Sequence, residues 1–233
     1  YALRQVILSR RTGTLTNNIN QSYFRSIKII FFSMLTLGSD NKWPNVPDVY
    51  NWLELDNRGN WCIKNEKISH KGLIKFISDH YSSDDKGRWF FQNGPQRVFV
   101  KLHSTPFILS IALNNDVIYF KTQTNQVIQQ IEQFWLDNNG RLLLSWDQYL
   151  GLLSDRDLSM MSDYIVPVNA NGQQEFDQIS DLDIPSSFSE NKIPFNLKLN
   201  NRLYDIRPIQ ERDFSQLFNF EPNPAPPVGS PDC

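Results

Sequence analysis

The chain has 233 residues, with 23 basic, 25 acidic, 40% apolar and 13% aromatic. That supplies enough apolar side chain for one good core or two small ones, and a charge balance that argues against holding nucleic acid through net charge. Its two cysteines, Cys62 and Cys233, argue against a disulfide scaffold and for a reducing, cytoplasmic setting.

Residues 1–33 differ from the rest: they hold Arg4, Arg10, Arg11, Arg25 and Lys28 and no acid. The first methionine is Met34. We expect 1–42 to be a poorly packed leader and place the natural start at Met34. A secretory signal is the rival reading, because Arg25 and Lys28 precede an apolar run over 29–37. No small-x-small cleavage site follows, and that run is too short to span a bilayer as a helix. The formal charge of −2 becomes −7 for 34–233 once those five cations are left out.

Alternation over 50–55, the turn Asp56-Asn57-Arg58-Gly59 and the return at Trp61-Cys62-Ile63 predict a hairpin over 49–64. Ser69 is placed to cap a helix running to about Tyr81, with Leu73, Ile74, Phe76 and Ile77 on its apolar side. Two short strands follow on either side of Gln92-Asn93-Gly94-Pro95. A hairpin over 106–122 turns at Asn114-Asn115, and another is predicted over 131–146 around Asp137-Asn138-Asn139-Gly140. Ser154 opens a second helix with acids in its first turn, Asp155 and Asp157, where the helix dipole favours them. Residues 169–193 read as a long polar loop. A last hairpin, 195–199 and 203–209, precedes a short helix over 212–218. The Pro-rich tail 222–233 is expected to be disordered.

Leu55-Asp56-Asn57-Arg58-Gly59 recurs as Leu136-Asp137-Asn138-Asn139-Gly140. Pro106-Phe107 to Asn115 recurs, shorter, as Pro194-Phe195 to Asn201. The expected fold is therefore α+β, in two similar small lobes with mostly antiparallel sheets. Each lobe is hairpin, helix, hairpin, the first over 43–125 and the second over 126–221.

The run Leu53-x-Leu55-Asp56-x-x-Gly59-x-Trp61, then Ile68, Leu73-Ile74-x-Phe76, an aromatic strand, Pro95-x-x-Val98-x-Val100 and Pro106-Phe107 covers roughly 50–120. It resembles an uncharacterised bacterial family catalogued as domain of unknown function 1285, or a close proteobacterial relative. The resemblance implies a small two-lobed α+β fold, no known catalytic centre and a ligand-binding or signalling role. It supplies no functional residues. The chain departs from the wider pattern at Gln96-Arg97, where an acidic-basic pair is more usual.

Phosphate-cradling glycine loops, a G-x-S-x-G elbow and H-E-x-x-H are all missing. His70 and His80, ten apart, stand about 280° apart around a helix and do not converge. No metal site and no cofactor are expected. Most of the six tryptophans read as core, with Trp43 and Trp89 expected to be partly exposed.

The one basic-aromatic stretch is 87–102, and the candidate ligand-binding residues are Arg88, Gln92, Asn93, Arg97 and Lys101. On a strand Arg97, Phe99 and Lys101 share a face, and Arg97 and Lys101 stand about 13 Å apart, flanking a groove that Gln92 and Asn93 close. A guanidinium there suits a carboxylate or phosphate. The competing reading is an ordinary polar outer face. We expect a non-enzymatic regulatory module that binds a small anionic ligand or a protein partner, without nucleic acid or membrane. The alternatives are an enzyme with an acid/base site built on Asp or His, and a single-stranded RNA-binding protein using exposed tryptophans.

Overall fold

A computed structural model describes residues 44–168, 193 and 195–229. The leader over 1–42 and most of the polar loop lie outside the described residues. Two compact units divide them: 44–45 with 69–76, and 46–68 with the residues from 77 on.

In the first unit lies most of helix α1 (Lys71–Asp79). Its cap is not the expected Ser69. The Leu73 N–H donates to Nδ1 of His70 (3.1 Å), so the imidazole satisfies a free amide of the first turn.

The second unit is mostly strand. Its first sheet contains β1 (Asp48–Leu55), β2 (Trp61–Ile63), β3 (Glu66–Lys67), β4 (Tyr81–Ser83), β5 (Trp89–Asn93) and β6 (Gln96–Leu102), in the order β3-β2-β1-β6-β5-β4. Its second sheet adds β7 (Phe107–Asn114), β8 (Val117–Thr122), β9 (Gln133–Asp137), β10 (Leu142–Trp146), β11 (Tyr149–Leu153), β12 (Ile165–Pro167), β13 (Phe195–Leu199) and β14 (Arg202–Ile209). That order is β12-β13-β14-β9-β10-β11-β7-β8. Helix α2 (Asp155–Met161) precedes β12, and α3 (Phe214–Leu217) follows β14.

The content is α+β as expected, but both sheets are mixed rather than mostly antiparallel. β1 runs parallel to β6, β9 to β14 and β7 to β11. Hairpin signals in the sequence reveal only antiparallel neighbours, whereas parallel joins are made between strands far apart in the chain. The β7–β8 hairpin, expected to close the first lobe, joins the second sheet instead. The order β11-β10-β9-β14-β13-β12 has the same connectivity as β3-β2-β1-β6-β5-β4. This places β13–β14 opposite β5–β6, not opposite β7–β8 as the Pro-Phe pairing of the sequence implied.

One turn occurs three times, at Asp56–Gly59, Asp84–Gly87 and Asp137–Gly140. Each glycine has positive φ (77°, 72° and 73°), and its N–H donates to the aspartate carbonyl. Each aspartate Oδ1 accepts the N–H groups two and four residues on. Each Oδ2 is held by the side chain four residues on: Asn60 (2.7 Å), Arg88 (2.6 Å) and Arg141 (2.6 Å). A type I turn closed by a left-handed glycine matches the twist of the flanking strands, so Asp-x-x-Gly is a hairpin instruction wherever it appears.

Val49, Leu53, Leu55, Val98, Val100 and Phe91 fill the first sheet's core at 0–1% exposure. Phe134, Leu143, Leu144 and Leu150 do so in the second, also at 0–1%. Each such side chain contributes roughly 1.5–3 kcal/mol. At the open side of β8 the Asn200 side chain acts as a strand. Its Oδ1 accepts Ile118 N–H (2.9 Å) and its Nδ2 donates to Ile118 O (2.7 Å), blocking edge pairing there. Among the described residues no helix is long and apolar enough to cross a membrane. Part of the tail expected to be disordered is tied down: Leu102 N–H donates to Pro222 O (2.8 Å).

Candidate functional site

The strands β5 and β6 carry Gln92, Asn93, Arg97 and Lys101 of the five expected residues, beside β1, and Arg88 stands just before β5. Arg97, Phe99 and Lys101 alternate with the buried Val98, Val100 and Leu102, which puts them on the face away from that core. Asp48 is the cross-strand partner of Arg97, and Glu54 that of Lys101. A register shift between Val49 and Leu53, at Asn51 with φ 60°, is the bulge that lets both pairs align.

Arg97 binds Asp48 with two hydrogen bonds, Nε to Oδ1 (2.8 Å) and Nη2 to Oδ2 (2.6 Å). Its guanidinium lies 5.2 Å from the Phe99 ring centre and 5.8 Å from that of Phe90. From the position just before β5, Arg88 reaches the same ring at 4.6 Å. Arg88 also binds Oδ2 of Asp84 through Nε (2.8 Å) and Nη2 (2.6 Å), and the Tyr50 hydroxyl through Nη1 (3.3 Å). Tyr50 stacks on Phe99 at 4.6 Å with 6° between the ring planes. Two guanidiniums therefore share one aromatic ring.

The electrostatics follow from this packing. The hydrogen bonds to Asp84 and Asp48 raise the pKa of Arg88 and Arg97, so both stay charged. Burial pushes the Tyr50 hydroxyl up, and the nearby Arg88 opposes it. Burial would raise Asp84, but the hydrogen bonds from Arg88 outweigh it and hold the carboxyl below its usual range.

The structure departs from the expected groove in two ways. Phe99, between Arg97 and Lys101, is only 1% exposed, so Arg97 stands on an aromatic floor and the two cations do not flank a trough. Gln92 does not close an end. Its Nε2 donates to Gly94 O (2.7 Å) and Gln96 O (3.2 Å), which braces its own turn. The Asn93 side chain bonds to none of the other four residues.

The expected basic face is balanced by acid: Asp48 for Arg97, Asp84 for Arg88, and Glu54 for Lys101 at 3.9 Å. Glu54 has its other oxygen 2.7 Å from Nε2 of His103, with the carboxylate side chain 12% exposed and the imidazole 42%. Sequence reasoning missed Asp48, Glu54, Tyr50 and His103. Asp48 and Tyr50 share the β1 alternation, and that was the available signal. The bulge at Asn51 hid Glu54.

Trp89, expected to be partly exposed, is 6% exposed and packs edge-on against Phe107 at 4.9 Å. It offers no platform for stacked bases, and Trp43 lies outside the described residues. Cys62 is buried, and burial raises its thiol pKa, the opposite of an activated nucleophile.

A family model described as "Protein of unknown function (DUF2946)" matches residues 38–225. No curated protein matches. Two solved structures are similar to the chain, both of DUF1285 family proteins. The one from Shewanella baltica OS155 has 13% identity and a TM-score of 0.37, over 48% of this chain and 90% of that one. The one from Silicibacter pomeroyi DSS-3 has 11% identity and a TM-score of 0.44, over 71% and 84%. The family model shows the likeness to an uncharacterised family that the sequence suggested.

Proposed function

This chain belongs to the family described as "Protein of unknown function (DUF2946)", and from its charged face we propose that it is a cytoplasmic, non-enzymatic binding module for a small carboxylate or phosphate. The observation that carries this reading is the pair of guanidiniums, Arg88 and Arg97, over the single ring of Phe99. Asp48 takes only Nε and one Nη2 proton of Arg97, so the outer donors of a guanidinium 36% exposed can receive an anion without breaking the ion pair.

We read the repeated connectivity as a duplicated scaffold of two similar lobes, and this supports the site by contrast. Leu55 and Leu136 each precede an Asp-x-x-Gly turn and pair with Leu102 and Pro208. Counting back along β14 puts Leu203 opposite Arg97 and Asp205 opposite Phe99. The scaffold occurs twice; among the described residues a ring shared by two guanidiniums stands on one copy, whereas β14 of the other has a single guanidinium, Arg202, over Tyr204 at 4.7 Å.

Calorimetric titration with inorganic phosphate and with succinate tests the reading. At least one anion binds, and Arg97→Ala or Arg97→Lys weakens it tenfold or more. No binding, or equal binding by Arg97→Ala, sinks it.

The Glu54–His103 contact favours a second reading, an acid/base enzyme, because a shielded carboxylate orients a solvent-facing imidazole. Turnover of ester, phosphoester or amide probes that disappears in His103→Ala sustains it. A wild type inert to all three removes it.

A further inference from the structure

Away from the charged face, a cleft of ≈ 390 Å³ opens between the Asp84–Gly87 turn, the turn joining β10 to β11, and the segment ending α3. Its walls include Trp89, Tyr149 and Phe218, with Leu217 at its rim 62% exposed. Trp89 and Tyr149 meet edge to face at 6.0 Å. Among the described residues no lysine or arginine lines it. Asp84 is turned into its own turn and bound to Arg88, whereas Asp85 and Asp147 are exposed. Neither of these two carboxylates has a hydrogen bond or ion pair among the described residues.

The cleft is held open by backbone. Glu221 N–H donates to Gly87 O (2.9 Å), and a Cβ on Gly87 would strike the Asn219 carbonyl. Small-molecule sites are concave and carry a few placed polar groups, and this volume falls in their range of about 300–1,000 Å³.

We propose that this cleft is a second binding site, for a small organic cation: a protonated amine carried on an apolar chain or ring. The half-buried rings of Tyr149 and Phe218 take the apolar body and attract the cation, while Trp89 backs Tyr149 from the core. Asp85 and Asp147 supply the opposing charge. The absence of any lining cation makes the complementarity one-sided, so an anionic analogue is repelled. The site needs nothing from Arg97 and stands whether or not the anion reading does.

The test is calorimetric titration of the full chain with 2-phenylethylamine, its neutral analogue 2-phenylethanol, and an oligolysine peptide. The amine binds at least tenfold more tightly than the alcohol, the double variant Asp85→Asn/Asp147→Asn loses that preference, and Arg97→Ala keeps it. No amine binding, equal affinity for amine and alcohol, or an unchanged double variant overturns the site. An oligolysine peptide that binds more tightly than the free amine overturns its assignment to a small molecule.

Discussion

The β1–β6 pair and the β9–β14 pair are parallel joins with the same connectivity, each leading from a strand that ends in an Asp-x-x-Gly turn. They differ in what they carry. On the first, Arg97 and Arg88 meet over Phe99; on the second, the matching positions of β14 are Leu203 and Asp205. The backbone plan does not require a guanidinium at that position. The turns differ in the same way. Asp137 is fully buried and bound to Arg141, Asp84 is 11% exposed and bound to Arg88, and Asp56 is held by neutral Asn60. One local motif therefore does three jobs of different energetic weight.

The largest expected effect comes from that gradient. Asp137→Ala leaves Arg141 without one of its partners in a buried setting and should cost about 3–5 kcal/mol. Asp84→Ala should cost about 2–3 kcal/mol and Asp56→Ala about 1–2 kcal/mol, the first losing a charged donor and the second only neutral ones. Urea unfolding measures all three, and equal losses would break the comparison.

The glycines sharpen it. At Gly140 a methyl meets open space, so Gly140→Ala costs only the left-handed backbone penalty of about 1–2 kcal/mol. At Gly87 the same methyl meets the Asn219 and Phe220 backbone, so a further 1–3 kcal/mol of overpacking is expected. Matching thermal shifts for the two variants would refute a fixed C-terminal segment.

Acid discriminates next. The hydrogen bonds from Arg88 hold the folded pKa of Asp84 below its unfolded value. Its stabilisation is therefore present above about pH 4 and is lost as pH falls through the lowered folded value. The stability difference between wild type and Asp84→Asn should hold steady from pH 7 to 5 and shrink below about pH 4. A difference that grows on acidification contradicts the assignment.

The smallest effect is expected at the proposed ligand residue. The Arg97–Asp48 pair is 36% and 32% exposed, so Arg97→Ala should change stability by less than about 1 kcal/mol. A loss above about 2 kcal/mol would make Arg97 a structural residue and remove the argument that it is there for a ligand.

Local chemistry made much of this fold legible. The hairpins at 49–64 and 131–146, the strand pair around Gln92 to Pro95 and the last hairpin at Asn200-Asn201 all correspond to observed strands. Turn residues and period-two alternation act within a few positions, so one segment suffices to read them. The short strands β3, β4, β11 and β12 were missed, because a run this short is read only when a recognised turn ties it to a partner. At the site, Arg88, Arg97 and Lys101 were visible as charges among aromatics. Their carboxylate partners were not, because Asp48 and Glu54 lie 49 and 47 residues from Arg97 and Lys101 and reach them only through a parallel join.

The sequence by itself determined the α+β content, the Asp-x-x-Gly turns at 56–59 and 137–140 and the side of β6 on which Arg97 and Lys101 stand, since each follows from neighbours along the chain. Tertiary structure alone decided that the sheets are mixed, that β7–β8 joins the second sheet, and that the cations arrive already paired with acid. It also decided that an aromatic cleft with two unengaged carboxylates lies beside a turn whose own aspartate is occupied. These outcomes depend on which distant strands lie side by side, and nothing in the local pattern of one strand names its neighbour across a parallel join.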